Sequence, residues 1–239
     1  MDWAEDNFEF DFFLRIDDDH FLCLDRLLYE LPFRPRERLY WGHLHCAPGV
    51  VRIDEGWVML TEDLVRTFLK TKSTLQCSRF ADQALAMWIY DLMRKKNILW
   101  YGDIRIFHHP PAATISEFKI RKELCHTYLS LHGSYPIDMR VFQLIQEREQ
   151  HFYGHTYDVP PIIDVCPYER NNFNWKWFDP NYYTEPKPCK QNPIWSNGGE
   201  LFIGRSIDIR YKIMEQKAQE NRWRTMHNTT KIQDMAKKI

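Results

Sequence analysis

The sequence lacks several features that would assign it to a class at once. It has no run of about 18 apolar residues, the length that a membrane-spanning helix requires. Its first residues, MDWAED, are too acidic and too poor in apolar residues for a signal peptide. Neither sign of charge is in excess, with 32 Lys and Arg against 33 Asp and Glu, which gives no support to nucleic acid as a partner. We therefore expect no membrane anchor or signal sequence in the chain as given.

The cysteines lack the CxxC spacing of a structural zinc site. They are Cys23, Cys46, Cys77, Cys125, Cys166 and Cys189. Their even number allows disulfides, but the spacing does not give the pairing. With 44% hydrophobic and 15% aromatic residues, the chain is able to bury one sizeable core. We expect one main domain, with or without an attached lobe.

Strand and helix patterns alternate through the first part of the chain. Strand patterns occur at residues 8–16, 39–44, 50–53 and 57–60, and helical patterns at 25–31, 62–70 and 84–93. Thr61 is suited to cap the second helix, and Asp82 precedes the third. Strands that alternate with helices indicate an α/β sandwich. We expect the first strand to be central in its sheet.

The patterns weaken after Tyr101. A short strand is predicted around residues 104–106 and a helix at 207–226, with an aromatic and proline-rich stretch between them. We therefore predict a main domain at residues 1–150 and a carboxyl-terminal extension of unknown role at 151–239.

Three consecutive aspartates, Asp17, Asp18 and Asp19, follow the first predicted strand. Ligands of open α/β sheets bind at the carboxyl ends of the strands. Carboxylate oxygens suit Mg²⁺ or Mn²⁺, which would neutralise a diphosphate. A solvated acidic turn that caps the following helix is the alternative interpretation.

Five segments carry a family resemblance. In chain order they are FFLRIDDDHFLCLDRLL (residues 12–28), RERLYWGHL (36–44), GWVMLTEDLV (56–65), FADQALAMWI (80–89) and CHTYLSLHGSYPIDM (125–139). Together they resemble the β-1,3-galactosyltransferases of glycosyltransferase family 31 and their N-acetylglucosaminyl and N-acetylgalactosaminyl relatives. The second segment is most similar to the branch that adds galactose to the proteoglycan linker.

The resemblance implies a fold and an activity. The fold is the GT-A type, a Rossmann-like mixed sheet flanked by helices. The activity is Mn²⁺-dependent transfer of a sugar, galactose first, from a UDP-sugar to a glycan or glycoprotein acceptor, with inversion and a β-1,3 linkage. Relatives are anchored in the Golgi membrane. In them, roughly a hundred residues precede the aspartates, and this preceding segment holds the nucleotide. About 16 residues precede the aspartates here, so we expect part of that amino-terminal half to be absent.

The resemblance also assigns metal ligands. Asp19 corresponds to the residue that binds Mn²⁺ directly, and Asp17 and Asp18 to residues that order the ribose, the diphosphate or the metal's waters. His132 corresponds to the second protein ligand, since a neutral imidazole completes an oxygen-rich site. His126, His108 and His109 are alternatives to His132.

A carboxylate is also needed, because inverting transfer requires a base that takes the proton of the acceptor hydroxyl. Asp82 occupies the family's position for that base, although capping of the helix explains its place equally well. Both roles are compatible.

Three more residues are candidate substrate contacts. Trp41 and Trp57 could stack on a sugar, or could be core residues. Gly56 is what remains of the family's glycine triplet, where backbone approaches a ligand closely. The other two positions are Asp54 and Glu55, acidic side chains that would narrow this region and are the next candidates for the base.

Two functions remain open. One is an active glycosyltransferase, supported by Asp17–Asp19, Asp82 and His132. The other is a catalytically inactive, truncated family member that acts as a binding or assembly module, supported by the short segment before the aspartates. The sequence does not identify the acceptor, the donor sugar or the oligomeric state.

Overall fold

The computed structural model describes residues 1–46, 51–108, 117–120, 123–153, 157–163, 166–168, 185–191 and 193. The chain divides into two compact units, Met1–Pro193 and Ile194–Ile239, and all the described residues belong to the first. His109 and the helix predicted at 207–226 lie outside the described residues. Most of residues 151–239 also lie outside the described residues, so the division at residue 150 and the role of the extension stay predictions.

The described helices and strands alternate along the chain. In order they are α1 (Asp2–Asn7), β1 (Phe12–Ile16), β2 (Phe21–Leu22), α2 (Leu24–Glu30), β3 (Leu39–His45), β4 (Arg52–Thr61), α3 (Glu62–Lys70), β5 (Gln76–Cys77), α4 (Ala81–Met93), β6 (Leu99–Gly102), β7 (Ile106–Phe107), α5 (Leu124–Thr127), β8 (Ser130–Leu131), α6 (Pro136–Tyr153) and β9 (Lys187–Pro188). Short 3-10 turns occupy Leu31–Phe33 and Cys189–Gln191.

The main sheet has four strands in the order β1-β4-β3-β6. Strands β1 and β3 are antiparallel to β4, whereas β3 and β6 are parallel. Three expectations were wrong here. Among the described strands β1 lies at the edge rather than in the centre, and it begins at Phe12 rather than at residue 8, since Phe12 pairs with Thr61, where its partner β4 ends. The strands predicted at 50–53 and 57–60 are the single strand β4.

Helices α3 and α4 cover one face of this sheet. Thr61 occupies the N-cap position of α3, as expected, but makes no side-chain capping hydrogen bond. Helix α4 begins at Ala81 rather than at residue 84 and its N-cap is Phe80, so Asp82 lies in the first turn instead of capping the helix. Leu64, Val65 and Phe68 of α3 pack with Leu85 and Ile89 of α4 in one buried cluster. This apolar face fixes the helices on the sheet and so sets where α4 begins.

A second sheet carries residues that matter for the site. Its strands are β2, β8 and β7 in that order, with β2 antiparallel and β7 parallel to β8. A third, two-stranded sheet pairs β5 with β9. The described part of the chain is therefore mixed α/β, which is compatible with a Rossmann-like glycosyltransferase. None of its helices has the length and hydropathy to cross a membrane.

The cysteines form three disulfides, a pairing that the spacing did not give. They are Cys23–Cys125, Cys46–Cys166 and Cys77–Cys189. Each joins residues more than 100 positions apart, with separations of 102, 120 and 112. Segments that are distant in the sequence are thus fixed to the sheets covalently.

Candidate metal centre

The three aspartates form a turn directly after β1. The amide of Asp17 donates to the carbonyl of Gly56 at 2.9 Å, which extends the β1–β4 pairing by one residue. The Asp17 carboxylate pairs with Arg15 at 2.8 Å, and Asp18 is exposed. Asp19 is held by its carbonyl, which accepts the amide of Ser134 at 2.7 Å. Of the three, Asp19 is the one whose carboxylate meets a histidine.

Strand register brings several histidines into one row. Phe21 pairs with Leu131 on β8, and Leu131 pairs with Phe107 on β7. One position further along these strands, the same register sets His20, His132 and His108 side by side. Neighbouring strands are about 4.8 Å apart, and the rings stack with centroids 4.6 Å apart for His20 and His132 and 5.3 Å for His132 and His108. We call these three residues the histidine row.

Asp19 and His132 lie in contact although they are far apart in the sequence. The Asp19 Oδ2 is 3.3 Å from the His132 Nε2. The hydrogen bond from His132 lowers the pKa of Asp19. Burial acts to lower the pKa of His132, but the hydrogen bond and charge of Asp19 outweigh it and raise that pKa above its ordinary value. The predicted ligand pair is therefore brought together, while its metal stays a prediction.

The alternatives to His132 have different surroundings. His126 lies in α5, with its ring 5.2 Å from that of Tyr157. His108 belongs to the histidine row, beside His132 rather than in place of it.

His20 adds a ligand atom that the sequence did not single out. The hydroxyl of Ser130 donates to the carbonyl of Phe21 at 3.1 Å, so it must accept the hydrogen bond of 3.0 Å that joins it to His20 Nδ1. The proton is thus on Nδ1, and the lone pair on Nε2. That Nε2 is buried with no hydrogen-bond partner, in a residue that is 7% exposed. Burial, together with the charge of His132, lowers the pKa of His20 to about 4, so His20 is neutral near pH 7.

These residues fit a divalent cation. Asp19, His20 and His132 each offer one atom, and the three atoms lie within 4.8 Å of one another. We call them the Asp19 group. A carboxylate with two imidazoles is a ligand set for divalent transition metals, and the ion would take the place of any proton shared by Asp19 and His132. The unpartnered Nε2 of His20 is the buried polar atom that such an ion would satisfy.

A bulge in β4 carries Asp54, Glu55 and Gly56. Gly42 of β3 pairs with Val58, but Leu44, two residues on, pairs with Ile53. On β3, His43 alone therefore lies opposite residues 54–57. As a result Asp54, Glu55 and Gly56 do not pair with β3. A β-carbon on Gly56 would lie 2.9 Å from the His20 Nε2 and 2.9 Å from an Asp54 oxygen. Gly56 thus permits a close approach, as expected, here between side chains of the site itself; its contact with substrate stays a prediction.

Asp54 connects the bulge to two further histidines. Its Oδ2 is 2.7 Å from the His45 Nε2, and its Oδ1 is 3.6 Å from the His108 Nδ1. Its Oδ1 also accepts the amide of Gly56 at 2.7 Å. Burial acts to raise the pKa of Asp54, but the hydrogen bond from His45 and the charge of His108 hold it well below its ordinary range. We call His45, Asp54 and His108 the Asp54 group.

Two carboxylates meet at the start of α4. Asp82 is 6% exposed and accepts hydrogen bonds from Arg52 at 2.5 Å and from the amide of Gln83 at 2.7 Å. Glu55 accepts the amides of Ala81 and Asp82 at 2.5 and 3.2 Å. Burial, and then repulsion by Asp82, raises the pKa of Glu55. The bulge therefore adds a second candidate base beside the predicted one.

The two tryptophans expected to contact a sugar are core residues. Trp41 and Trp57 are 0% exposed and pack edge to face against each other. Trp41 also stacks on Tyr101 and donates to Asp103 at 3.0 Å. Because neither ring offers surface to a ligand, stacking on a sugar was the wrong interpretation and packing is the right one.

Part of the site could have been read from sequence signals that were overlooked. His43 lies in the strand predicted at 39–44 and His45 directly follows it, and alternation sets residues two positions apart on one face. His20 directly follows the three aspartates. By contrast, nothing in the local sequence places His108 beside His132, because that depends on strand pairing.

Comparison with known proteins gives one distant similarity. Over 161 residues the chain is 27% identical to beta-1,3-galactosyltransferase 6 of Mus musculus. The match covers 58% of this chain and 45% of that protein, so the chain spans less than half the length of the curated relative. No protein-family model matches the chain, and no solved structure matches it. The similarity supports a relationship to the galactosyltransferases and does not select a branch of them.

Proposed function

We propose that this chain transfers a hexose, galactose first, from a UDP-sugar to a glycan or glycoprotein acceptor, with inversion and formation of a β-1,3 linkage. The observation that carries the proposal is the contact of Asp19 with His132, 3.3 Å apart, directly after the first strand. The distant similarity to a β-1,3-galactosyltransferase supports the reaction class.

The Asp19 group is the proposed cation site. Asp19, His132 and His20 would hold Mn²⁺, and the bound ion would act as a Lewis acid on the leaving UDP. Asp17 and Asp18 stand next to that site in the same turn, and we propose that they order the ribose, the diphosphate or bound water.

The base is a carboxylate at the start of α4. Asp82 has the position that the resemblance assigns to the base, and Glu55 accepts amides of the same helical turn. Either carboxylate would accept the proton of the acceptor hydroxyl while the hydroxyl oxygen attacks the sugar carbon.

We also propose the Golgi lumen as the site of action. The three disulfides among the described residues support a secretory route, because disulfides persist in oxidising compartments.

A catalytically inactive binding or assembly module is the second candidate. It is favoured by Asp82, whose two oxygens already accept hydrogen bonds from Arg52 and Gln83. Such a module would keep the cation site and lose turnover.

The test is UDP binding with and without Mn²⁺, by calorimetry, together with galactose transfer from UDP-galactose to a β-galactosyl acceptor. We expect Asp19→Asn to weaken Mn²⁺-dependent UDP binding by at least about tenfold, since the ligand charge holds the ion. Asp91→Asn, an exposed residue of α4, is the matched control. A UDP affinity that is the same with and without Mn²⁺ and is unchanged by Asp19→Asn would contradict the proposal. Mn²⁺-dependent UDP binding without galactose transfer would favour the inactive module.

A further inference from the structure

The Asp54 group has the geometry of a metal site of its own. Its ligand atoms all lie within 4.8 Å of one another. Atoms bound to one Zn²⁺ at about 2.0–2.2 Å are roughly 3–4 Å apart in a tetrahedral arrangement. His45 Nε2 lies 2.7 Å from the Asp54 Oδ2, and His108 Nδ1 lies 3.6 Å from the Asp54 Oδ1, so both contacts are close to the separation that ligands of one ion have.

Three separate segments of the chain build this group. His45 ends β3, Asp54 lies in the bulge of β4, and His108 follows β7. The amide of Gly56 orients the Asp54 carboxylate at 2.7 Å, as outer hydrogen bonds orient metal ligands. The Cys46–Cys166 disulfide fixes the chain next to His45. The side chains are 26%, 12% and 13% exposed in that order, which leaves access for an ion.

The group offers the same kinds of ligand as the Asp19 group, two imidazoles and one carboxylate. Two imidazoles and one carboxylate form a ligand set used by catalytic Zn²⁺, with further positions left for water or substrate. The group shares no ligand with Asp19, His20 and His132, although the rings of His108 and His132 stack 5.3 Å apart. We infer that His45, Asp54 and His108 form a second metal site, which binds a Zn²⁺-class ion beside the Asp19 group. This inference does not depend on the proposed transfer reaction.

The experiment counts Zn²⁺ per chain after equilibrium dialysis, with elemental analysis. The double variant Asp19→Ala/His132→Ala removes two ligands of the Asp19 group and isolates the second site. We expect this variant to retain one Zn²⁺ per chain. Adding Asp54→Asn or His45→Gln should lower the affinity for that Zn²⁺ by at least about tenfold, since loss of even a residue that only hydrogen-bonds to a metal ligand has that effect. Adding His126→Ala, a histidine of α5 outside both groups, should leave it unchanged.

A second measurement separates loss of binding from loss of folding. Zn²⁺ should raise the melting temperature of the double variant, because a ligand of the native state stabilises it. It should have no such effect once Asp54→Asn is added, and Asn retains the size and the Gly56 hydrogen bond. The inference is overturned if the double variant holds no Zn²⁺, or if Asp54→Asn and His45→Gln leave both the Zn²⁺ affinity and the thermal shift intact. If His45 and Asp54 form a hydrogen bond and bind no metal, the double variant will hold no Zn²⁺.

Discussion

Glu55 of β4 and Asp82 of α4 both present carboxylates at the first turn of α4, and their surroundings suit different tasks. Asp82 is buried and accepts a hydrogen bond from Arg52 at 2.5 Å, an arrangement that restricts its access to an acceptor. Glu55 is half-buried, and burial and the charge of Asp82 raise its pKa. A general base works best when its pKa approaches the operating pH. These environments favour Glu55 as the base and Asp82 as the residue that fixes Arg52.

We therefore predict that Glu55→Gln lowers kcat by about 10² to 10⁴, the usual effect of removing a general base, while UDP and Mn²⁺ binding change little. Asp82→Asn should instead lower thermal stability, because it removes the charge that pairs with the half-buried Arg52 at 2.5 Å. Steady-state kinetics, UDP calorimetry and thermal unfolding of both variants separate the roles. Wild-type turnover in Glu55→Gln together with lost turnover in a folded Asp82→Asn would return the base to Asp82.

Sequence reasoning reached some residues of the site and not others, for a physical reason. Asp19 and His132 were found because each lies in a segment with its own motif. His20 and His108 lie beside His132 through the pairing of β2, β8 and β7, and strands of two residues give no periodic signal in a sequence. The rings of Trp41 and Trp57 were misassigned because burial, unlike residue type, depends on the whole fold.

At the scale of elements, the least predictable feature was the bulge of β4. Asp54, Glu55 and Gly56 interrupt the apolar pattern, and this interruption indicated a break between two strands. The chain instead continues as one strand, because the bulge absorbs the extra residues and pairing with β3 resumes on both sides. Helix α3 was predicted with its correct ends, since its apolar face and its preceding threonine are local features.

Helix α6 carries an element-scale prediction. Glu149 is 4% exposed, and its carboxylate accepts the amide of Cys125 at the start of α5. Burial raises its pKa from an ordinary 4.5 to about 7. The folded state therefore binds a proton that the unfolded state releases between these values, so stability falls as pH rises from 4.5 to about 7. The effect is on the order of 3 kcal/mol at most, from a shift worth about 1.4 kcal/mol per unit.

We expect Glu149→Gln to flatten this decline in the free energy of unfolding, measured by denaturant titration across that pH range. Glu147→Gln, an exposed residue of the same helix, should retain the wild-type slope. A difference between wild type and Glu149→Gln that stays constant with pH would show that Glu149 has the same pKa in the folded and unfolded states.

At the scale of the whole molecule, the disulfide pairing could not be predicted from the sequence. Six cysteines allow 15 pairings, and spacing does not choose among them. The pairing follows from which strands meet: Cys77 of β5 reaches Cys189 because β5 pairs with β9, and the amide of Cys23 donates to Leu129 in the segment after Cys125. The mixed α/β class, by contrast, was predictable, because it needs only the alternation of strands and helices along the chain.

The disulfides also make a prediction about the whole molecule. In the chain-entropy account, a crosslink that closes a loop of about 100 residues stabilises the fold by roughly 4 to 5 kcal/mol. The Cys46–Cys166 and Cys77–Cys189 crosslinks close loops of similar length, 120 and 112 residues apart, so replacing either pair with serine should lower the melting temperature by a similar amount. The variants should differ in metal binding. Because Cys46 follows His45, the Cys46→Ser/Cys166→Ser variant should bind Zn²⁺ at the Asp54 group more weakly, whereas Cys77→Ser/Cys189→Ser should bind it as the wild type does. Zn²⁺ titrations of both variants at a temperature where each is folded test this, and equal Zn²⁺ affinities would mean that the disulfide supports the fold without positioning His45.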